Sequence, residues 1–162
     1  TFGRYEDPKV RIISSICQDV AQNQPIKINQ NKRYDFLCVE DLTKIVEWAL
    51  NNKPRHKSYN ICSGETMEFI EIAERVRALS GRNLEIITDR KGLGAEYSGD
   101  NSLLMQELKS FKFTPLKTSI KNLYEINTRL TNLFERKISN NDEQVSTEMK
   151  TEETNPLLKG NK

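Results

Sequence analysis

Apolar residues recur along this chain with two different periods, and the alternation between them predicts its elements. Ile13, Ile16, Cys17 and Val20 fall at helical spacing. They follow Glu6-Asp7-Pro8, with Asp7 placed to cap a helix and Pro8 at its first position, where a missing donor costs nothing; the helix should end near Asn23. Pro25 to Asn29 alternates apolar and polar residues, the pattern of an exposed strand, and Gln30 to Lys32 form a polar turn. Phe36 to Val39 reads as a short buried strand. The acidic pair Glu40-Asp41 then sits where a helix N-terminus favours negative charge. Leu42, Ile45, Val46, Ala49 and Leu50 supply that helix's apolar face, which stops ahead of Pro54.

Beyond a polar loop, Ser58 to Cys62 reads as another strand, closed by Ser63-Gly64-Glu65. Thr66 is a candidate cap for a helix with Phe69, Ile72, Ala73, Val76 and Leu79 on one face and Gly81 as its C-terminal stop. Leu84 to Thr88 is a strand candidate, and Arg90 to Gly99 a glycine-containing loop. A short helix is expected over Leu103 to Phe111. A longer one, capped by Thr118 or Ser119, carries Ile120, Leu123, Tyr124, Leu130 and Phe134. From Ser139 the composition turns polar and nearly devoid of large apolar residues, so residues 1–138 are expected to fold and 139–162 to form a disordered polar tail. Strands and helices alternating with short connections predict an α/β layered fold.

Composition narrows the function classes. The chain has 162 residues, a formal net charge of +2 and a mean hydropathy of -0.69. So small and mixed a charge gives no reason to expect nucleic acid or a membrane surface as partner, and no apolar run approaches spanning length. Cys17, Cys38 and Cys62 are odd in number, widely spaced and set in apolar sequence, which favours reduced thiols over disulfides or a metal site and points to the cytoplasm. The first residues already look like the end of a strand inside a domain, which predicts a fragment.

Three segments carry a family resemblance. Tyr34-Asp35-Phe36-Leu37-Cys38-Val39-Glu40-Asp41 resembles the Arg-Asp-Phe-x-x-Val-Asp-Asp segment of NAD-dependent nucleotide-sugar epimerases and dehydratases, the extended short-chain dehydrogenase/reductase family. Tyr59-Asn60-Ile61-Cys62-Ser63-Gly64-Glu65 is similar to its Tyr-Asn-Ile-Gly-Ser-Gly-Glu, and Phe2-Gly3-Arg4-Tyr5 to its Phe-Asn-x-Tyr. The match runs over roughly residues 1–125. It implies the C-terminal part of a Rossmann-type fold: the last sheet strands and a small substrate-binding subdomain. The Gly-rich NAD(P) turn and the catalytic Tyr-x-x-x-Lys pair are expected in the other half. The chain alone is therefore expected to hold no catalytic residue, while the complete protein would be an isomerase or lyase of carbohydrate biosynthesis that uses NAD or NADP and acts on a nucleotide-diphosphate sugar, as a homodimer. The alternative is a non-catalytic module of the same fold that binds a nucleotide-sugar or a protein.

The resemblance implies a substrate site that needs cations for phosphate and flat or apolar groups for the base. Tyr34 stands where the family places its diphosphate-binding Arg, with Arg33 one residue earlier; since neighbours on a strand point to opposite faces, Arg33 substitutes only if the backbone is irregular there. Gly3 replaces the substrate-contacting Asn and leaves backbone approach alone. Arg11 is a second candidate for phosphate, and Tyr97 lies in a loop where the family places an Arg or a base-packing residue. Asp35 reads as a turn or cap residue, His56 as a surface residue and Trp48 as flank packing.

Overall fold

A computed structural model describes the backbone of residues 1–153; the side chains of Glu135 and of residues from 139 onward are outside the description. Helix α1 (Ile12–Ala21) buries Ile13, Ile16, Cys17 and Val20, the face that the spacing predicts. Its start lies later than Asp7-Pro8: the Asp7 side chain accepts from Lys9 N at 2.9 Å and so organises a turn one step ahead of the helix. Strand β1 (Ile26–Asn31) alternates as expected, with Ile26 and Ile28 buried, and pairs in parallel with β4 (Ile86–Leu93). Gly81 ends α3 (Phe69–Ser80) with φ 67°, a left-handed conformation that glycine adopts without a Cβ penalty.

Three expected strands are displaced. The extended stretch at the centre of the chain pairs two to three residues earlier than its apolar run suggests. Arg33–Asp35 forms β2, antiparallel to β3 (Thr66–Glu68), and beyond it only Cys38 bridges, to Phe2. The segment from Ser58 to Cys62 joins no ladder; instead Asn101 Nδ2 donates to Cys62 O (2.8 Å) and Asn60 Nδ2 to Asp100 O (3.1 Å). Thr66 belongs to β3 and does not cap α3. The N-terminus of α3 is served from a distance, by Ile70 N donating to Asn31 Oδ1 (3.2 Å). At the other end of the main core, Arg82 Nη1 donates to Val20 O (2.6 Å), satisfying a carbonyl left open where α1 ends.

The first compact unit, Thr1–Thr128, contains two apolar clusters. The larger joins α1, β1 and α3 to Leu116, Ile120 and Leu123 at the start of α5 (Leu116–Glu153). The smaller joins Ile45 of α2 (Val39–Asn51) to Leu104 of α4 (Ser102–Glu107) and to Leu108, with Trp48, Tyr59, Phe111 and Phe113 packed against it. Trp48 is thus flank packing. Val46 and Leu50, expected on the buried face of α2, are exposed, because this helix packs through one narrow stripe.

In the second unit, which begins at Arg129, the backbone is helical to Glu153. Composition alone predicted no order from 139. Residues 116–155 contain neither Gly nor Pro and are rich in Glu, Lys, Gln, Met and Leu, so helix propensity suffices where a buried face does not. Leu130 and Phe134, expected on the apolar face, are exposed. The end of the expected tail, 154–162, lies outside the described residues.

Between the two clusters stands a buried carboxylate. Asp41, in the first turn of α2, is 1% exposed, and its Oδ2 accepts from Thr114 N (2.6 Å) while Oδ1 accepts from Thr114 Oγ1 and Lys44 Nζ (both 2.9 Å). Burial by itself would raise its pKa, but the hydrogen bonds from Lys44 and Thr114 outweigh burial and hold it below the usual carboxylate value. Asp41→Asn should cost about 1–3 kcal/mol at pH 7, since a charged acceptor of a buried backbone donor is lost. A depressed folded pKa makes this stabilisation complete above the unfolded value of about 4 and lost as pH falls through the folded one. In urea titrations the gap between wild type and Asp41→Asn should therefore close on acidification below pH 4; a pH-independent gap would contradict the assignment.

Candidate functional site

The aromatic residues of the N-terminus, β2 and α3 meet in one place. Phe2 is drawn in by two backbone bonds, Phe2 N to Leu37 O and Val39 N to Phe2 O, both 2.9 Å. Its ring meets Phe36 edge-on at 6.3 Å, and Tyr34 meets Phe69 edge-on at 5.0 Å. Tyr97 is laid alongside by a parallel bridge in which Asp35 N donates to Tyr97 O (2.8 Å) and Tyr97 N to Arg33 O (3.0 Å). These rings, with Glu6, Val10, Arg11 and Asp35, line a cavity of about 350 Å³. A second cavity of about 380 Å³ shares Thr1, Phe2, Glu6, Val10 and Arg11 with it and adds Gly3, Arg4, Asp7 and Val39.

Of the five candidate residues, the structure brings four to this place. Arg11, Tyr34 and Tyr97 line the aromatic cavity, and Gly3 and Arg11 the adjoining one. Arg33 is not brought there. β2 is regular, in register with Glu68, Met67 and Thr66, so the alternation that turns Tyr34 toward Phe36 and Phe69 turns Arg33 away. Arg33 Nη2 meets Glu68 Oε1 at 2.6 Å, and Nη1 lies 4.0 Å from Glu96 Oε2. The hydrogen bond to Glu68 raises the Arg33 pKa further and lowers that of Glu68, whose other oxygen accepts from Asn31 Nδ2 (2.8 Å).

Gly3 is required by close packing: a Cβ built there would stand 2.3 Å from Val39 Cγ1. The space that a larger side chain would use is filled by Val39, so only backbone faces the cavity at this position. Asp35 is a structural acceptor as expected, taking Ser63 N (2.9 Å) and Ser63 Oγ (2.7 Å) on Oδ1 and Gly64 N (2.7 Å) on Oδ2. That carboxylate fixes the turn at Gly64 against β2. His56 is exposed and edge-on to Tyr59 at 5.7 Å, away from both cavities.

Sequence reasoning did not single out Glu6, Arg4 or Val39, all of which line the two cavities; proximity to Phe2-Gly3 was the available signal. It also passed over a spacing. Tyr5 and Lys9 stand four residues apart, as a Tyr-x-x-x-Lys pair would. On a helix such residues share a face, but here they flank a turn before α1. Tyr5 has φ 72° and is 90% exposed, and neither side chain lines the aromatic cavity.

The arrangement also bears on an expected dinucleotide. Gly92 and Gly94 lie at the end of β4, but the chain runs from there into the bridge at Tyr97 and not into a helix N-terminus. A pyrophosphate is held where backbone donors converge at such a terminus. The glycines of this chain therefore do not fit that group. Among the described residues no cluster of His, Cys, Asp or Glu could hold a metal ion, and no helix is long and apolar enough to cross a membrane.

No family model and no curated protein matches the chain. Solved structures do. UDP-glucuronic acid 4-epimerase from Bacillus cereus, in complex with UDP-glucuronic acid and NAD, superposes with a TM-score of 0.67 at 18% identity, over 80% of this chain and 43% of that one. RMD from Pseudomonas aeruginosa complexed with NADPH gives 0.66 at 20% identity, over 78% and 45%. A GDP-L-fucose synthetase from Naegleria fowleri bound to NADP gives 0.66 at 17%, over 82% and 43%. The chain thus has the α/β fold of part of the Rossmann-type extended short-chain dehydrogenase/reductases, and spans less than half the length of these structures.

Gly3→Ala should destabilise the unit by about 1–3 kcal/mol through overpacking, and Val39→Ala in the same chain should recover much of that loss. Thermal unfolding of the two single variants and the double variant checks this; strictly additive losses would show that the two residues do not compete for one space.

Proposed function

We propose that this chain is the substrate-binding part of an NAD(P)-dependent protein that modifies nucleotide-diphosphate sugars, of the epimerase or dehydratase kind. The observation that carries the reading is the convergence of Gly3, Arg11, Tyr34 and Tyr97 on two adjoining cavities in a chain with this fold. In this assignment Arg11 faces phosphate and the tyrosine walls face the flat or apolar part of the ligand. Arg33 has its charge engaged by Glu68 and contributes from the outer face only, if its ion pair opens.

The nicotinamide cofactor would be held by residues other than those of this chain, whose glycines offer no phosphate cradle. The complete protein is placed in the cytoplasm, a reading supported by three free thiols, of which Cys17 is pushed up to about 12 by burial and is unreactive. Assembly as a homodimer rests on the family resemblance alone. Neutralisation of Arg33 favours a second reading, in which the fold is kept as a non-catalytic module that binds a nucleotide-sugar or a protein.

Calorimetric titration of the chain with UDP and with GDP separates the arginines. Arg11→Ala should weaken binding by about 1.5–3 kcal/mol, the worth of a charge-assisted contact, and Arg33→Ala should leave it nearly unchanged. The reverse order would return the phosphate role to Arg33. Absence of any UDP or GDP binding would overturn the nucleotide reading. With NADH, nicotinamide fluorescence should show no saturable binding to the chain alone, and saturation would demand a cofactor site in these residues.

A further inference from the structure

The charges around the aromatic cavity do not suit a polyanion. Its wall carries two carboxylates, Glu6 and Asp35, against one guanidinium, Arg11. The adjoining cavity adds one of each sign, Arg4 and Asp7, and leaves the balance unchanged. The one further arginine near the site, Arg33, is committed to Glu68. A site of net negative charge lined by aromatic rings attracts a cation, through the negative faces of the rings and through the carboxylates.

Ring geometry points the same way. Tyr34 and Tyr97 have centroids 5.6 Å apart and planes tilted by 55°. A planar base held between two rings needs about 7 Å, twice a carbon–carbon contact distance, so the pair cannot close on both faces of a base. A compact, rounded group can rest against their open surfaces. Neither carboxylate is consumed by its structural role. Asp35 Oδ2 takes one donor, Gly64 N, and Glu6 Oε2 takes one, Ser14 Oγ at 2.7 Å. Both retain acceptor capacity for an ammonium N–H or for direct charge contact.

We propose that the cavity between Tyr34, Tyr97, Glu6 and Asp35 binds an organic ammonium group. This goes beyond the nucleotide-sugar reading and does not depend on it. Where both hold, an amino substituent on the sugar is the group the cavity selects; where only this one holds, the chain binds an amine that carries no phosphate.

Tetramethylammonium chloride serves as the probe, with tert-butanol as its uncharged counterpart and inorganic pyrophosphate as the anion, each titrated calorimetrically into the chain. Tyr97 is 71% exposed and held through its backbone, so Tyr97→Leu keeps the fold. Tetramethylammonium should bind saturably, tert-butanol should not, and Tyr97→Leu and Glu6→Gln should each weaken binding by about tenfold. Tyr97→Phe, which keeps the ring, should bind as the parent does. Failure of tetramethylammonium to saturate, equal affinity in Tyr97→Leu, or tighter binding of pyrophosphate would overturn the proposal. The UDP and GDP titrations report separately on the nucleotide reading.

Discussion

A buried carboxylate with a backbone N–H as its partner joins the two halves of the core in this protein. Asp41 sits on α2, whose Ile45 belongs to the smaller apolar cluster, and its partner Thr114 lies just before α5, whose first turns belong to the larger one. Apolar burial supplies most of the stability of each cluster, but it is non-directional and would tolerate sliding between them. The bonds from Thr114 N and Oγ1 to one carboxylate have direction and fix the relation. An unpaired charge left in that position would be costly, so the two groups must meet for the unit to fold at all.

The same segment sets the site. Six residues before Asp41, Asp35 closes its carboxylate on the Ser63-Gly64 turn, and the strand between Arg33 and Asp35 stays regular. Regularity is what separates Arg33 from Tyr34. With the pleat intact, one neighbour faces Glu68 across the ladder and the other joins Phe36 and Phe69 beside the cavity. A cation is thereby lost from the wall and a ring gained, while Glu6 and Asp35 remain. The ligand chemistry of the site follows from that exchange: fewer contacts for phosphate, more for a group of positive charge.

Likeness in fold extends over most of this chain and less than half of the solved structures it superposes on. Fold does not transfer function by itself. What this chain contributes to any ligand is local: Arg11 from the start of α1, the backbone of Gly3 against Val39, and two tyrosines brought together by a bridge between segments far apart in sequence.

The sequence by itself determined what depends on neighbours a few residues away. The buried faces of α1 and α3, the alternation of β1 and the glycine stop at Gly81 were legible because helix and strand periods, and the need for positive φ, are properties of short runs. Motif order along residues 1–125 was legible for the same reason, and with it the fold class. Tertiary structure decided which extended runs became strands. A ladder needs a partner, and Arg33–Asp35 found Thr66–Glu68 while Ser58 to Cys62 found none. It also decided that Asn31 and not Thr66 serves the start of α3, that Asp41 is buried and not an exposed helix-end charge, and that Arg33 is neutralised. Each of these is a meeting of polar groups distant along the chain, and the free energy of a buried or paired charge depends on what the fold places beside it.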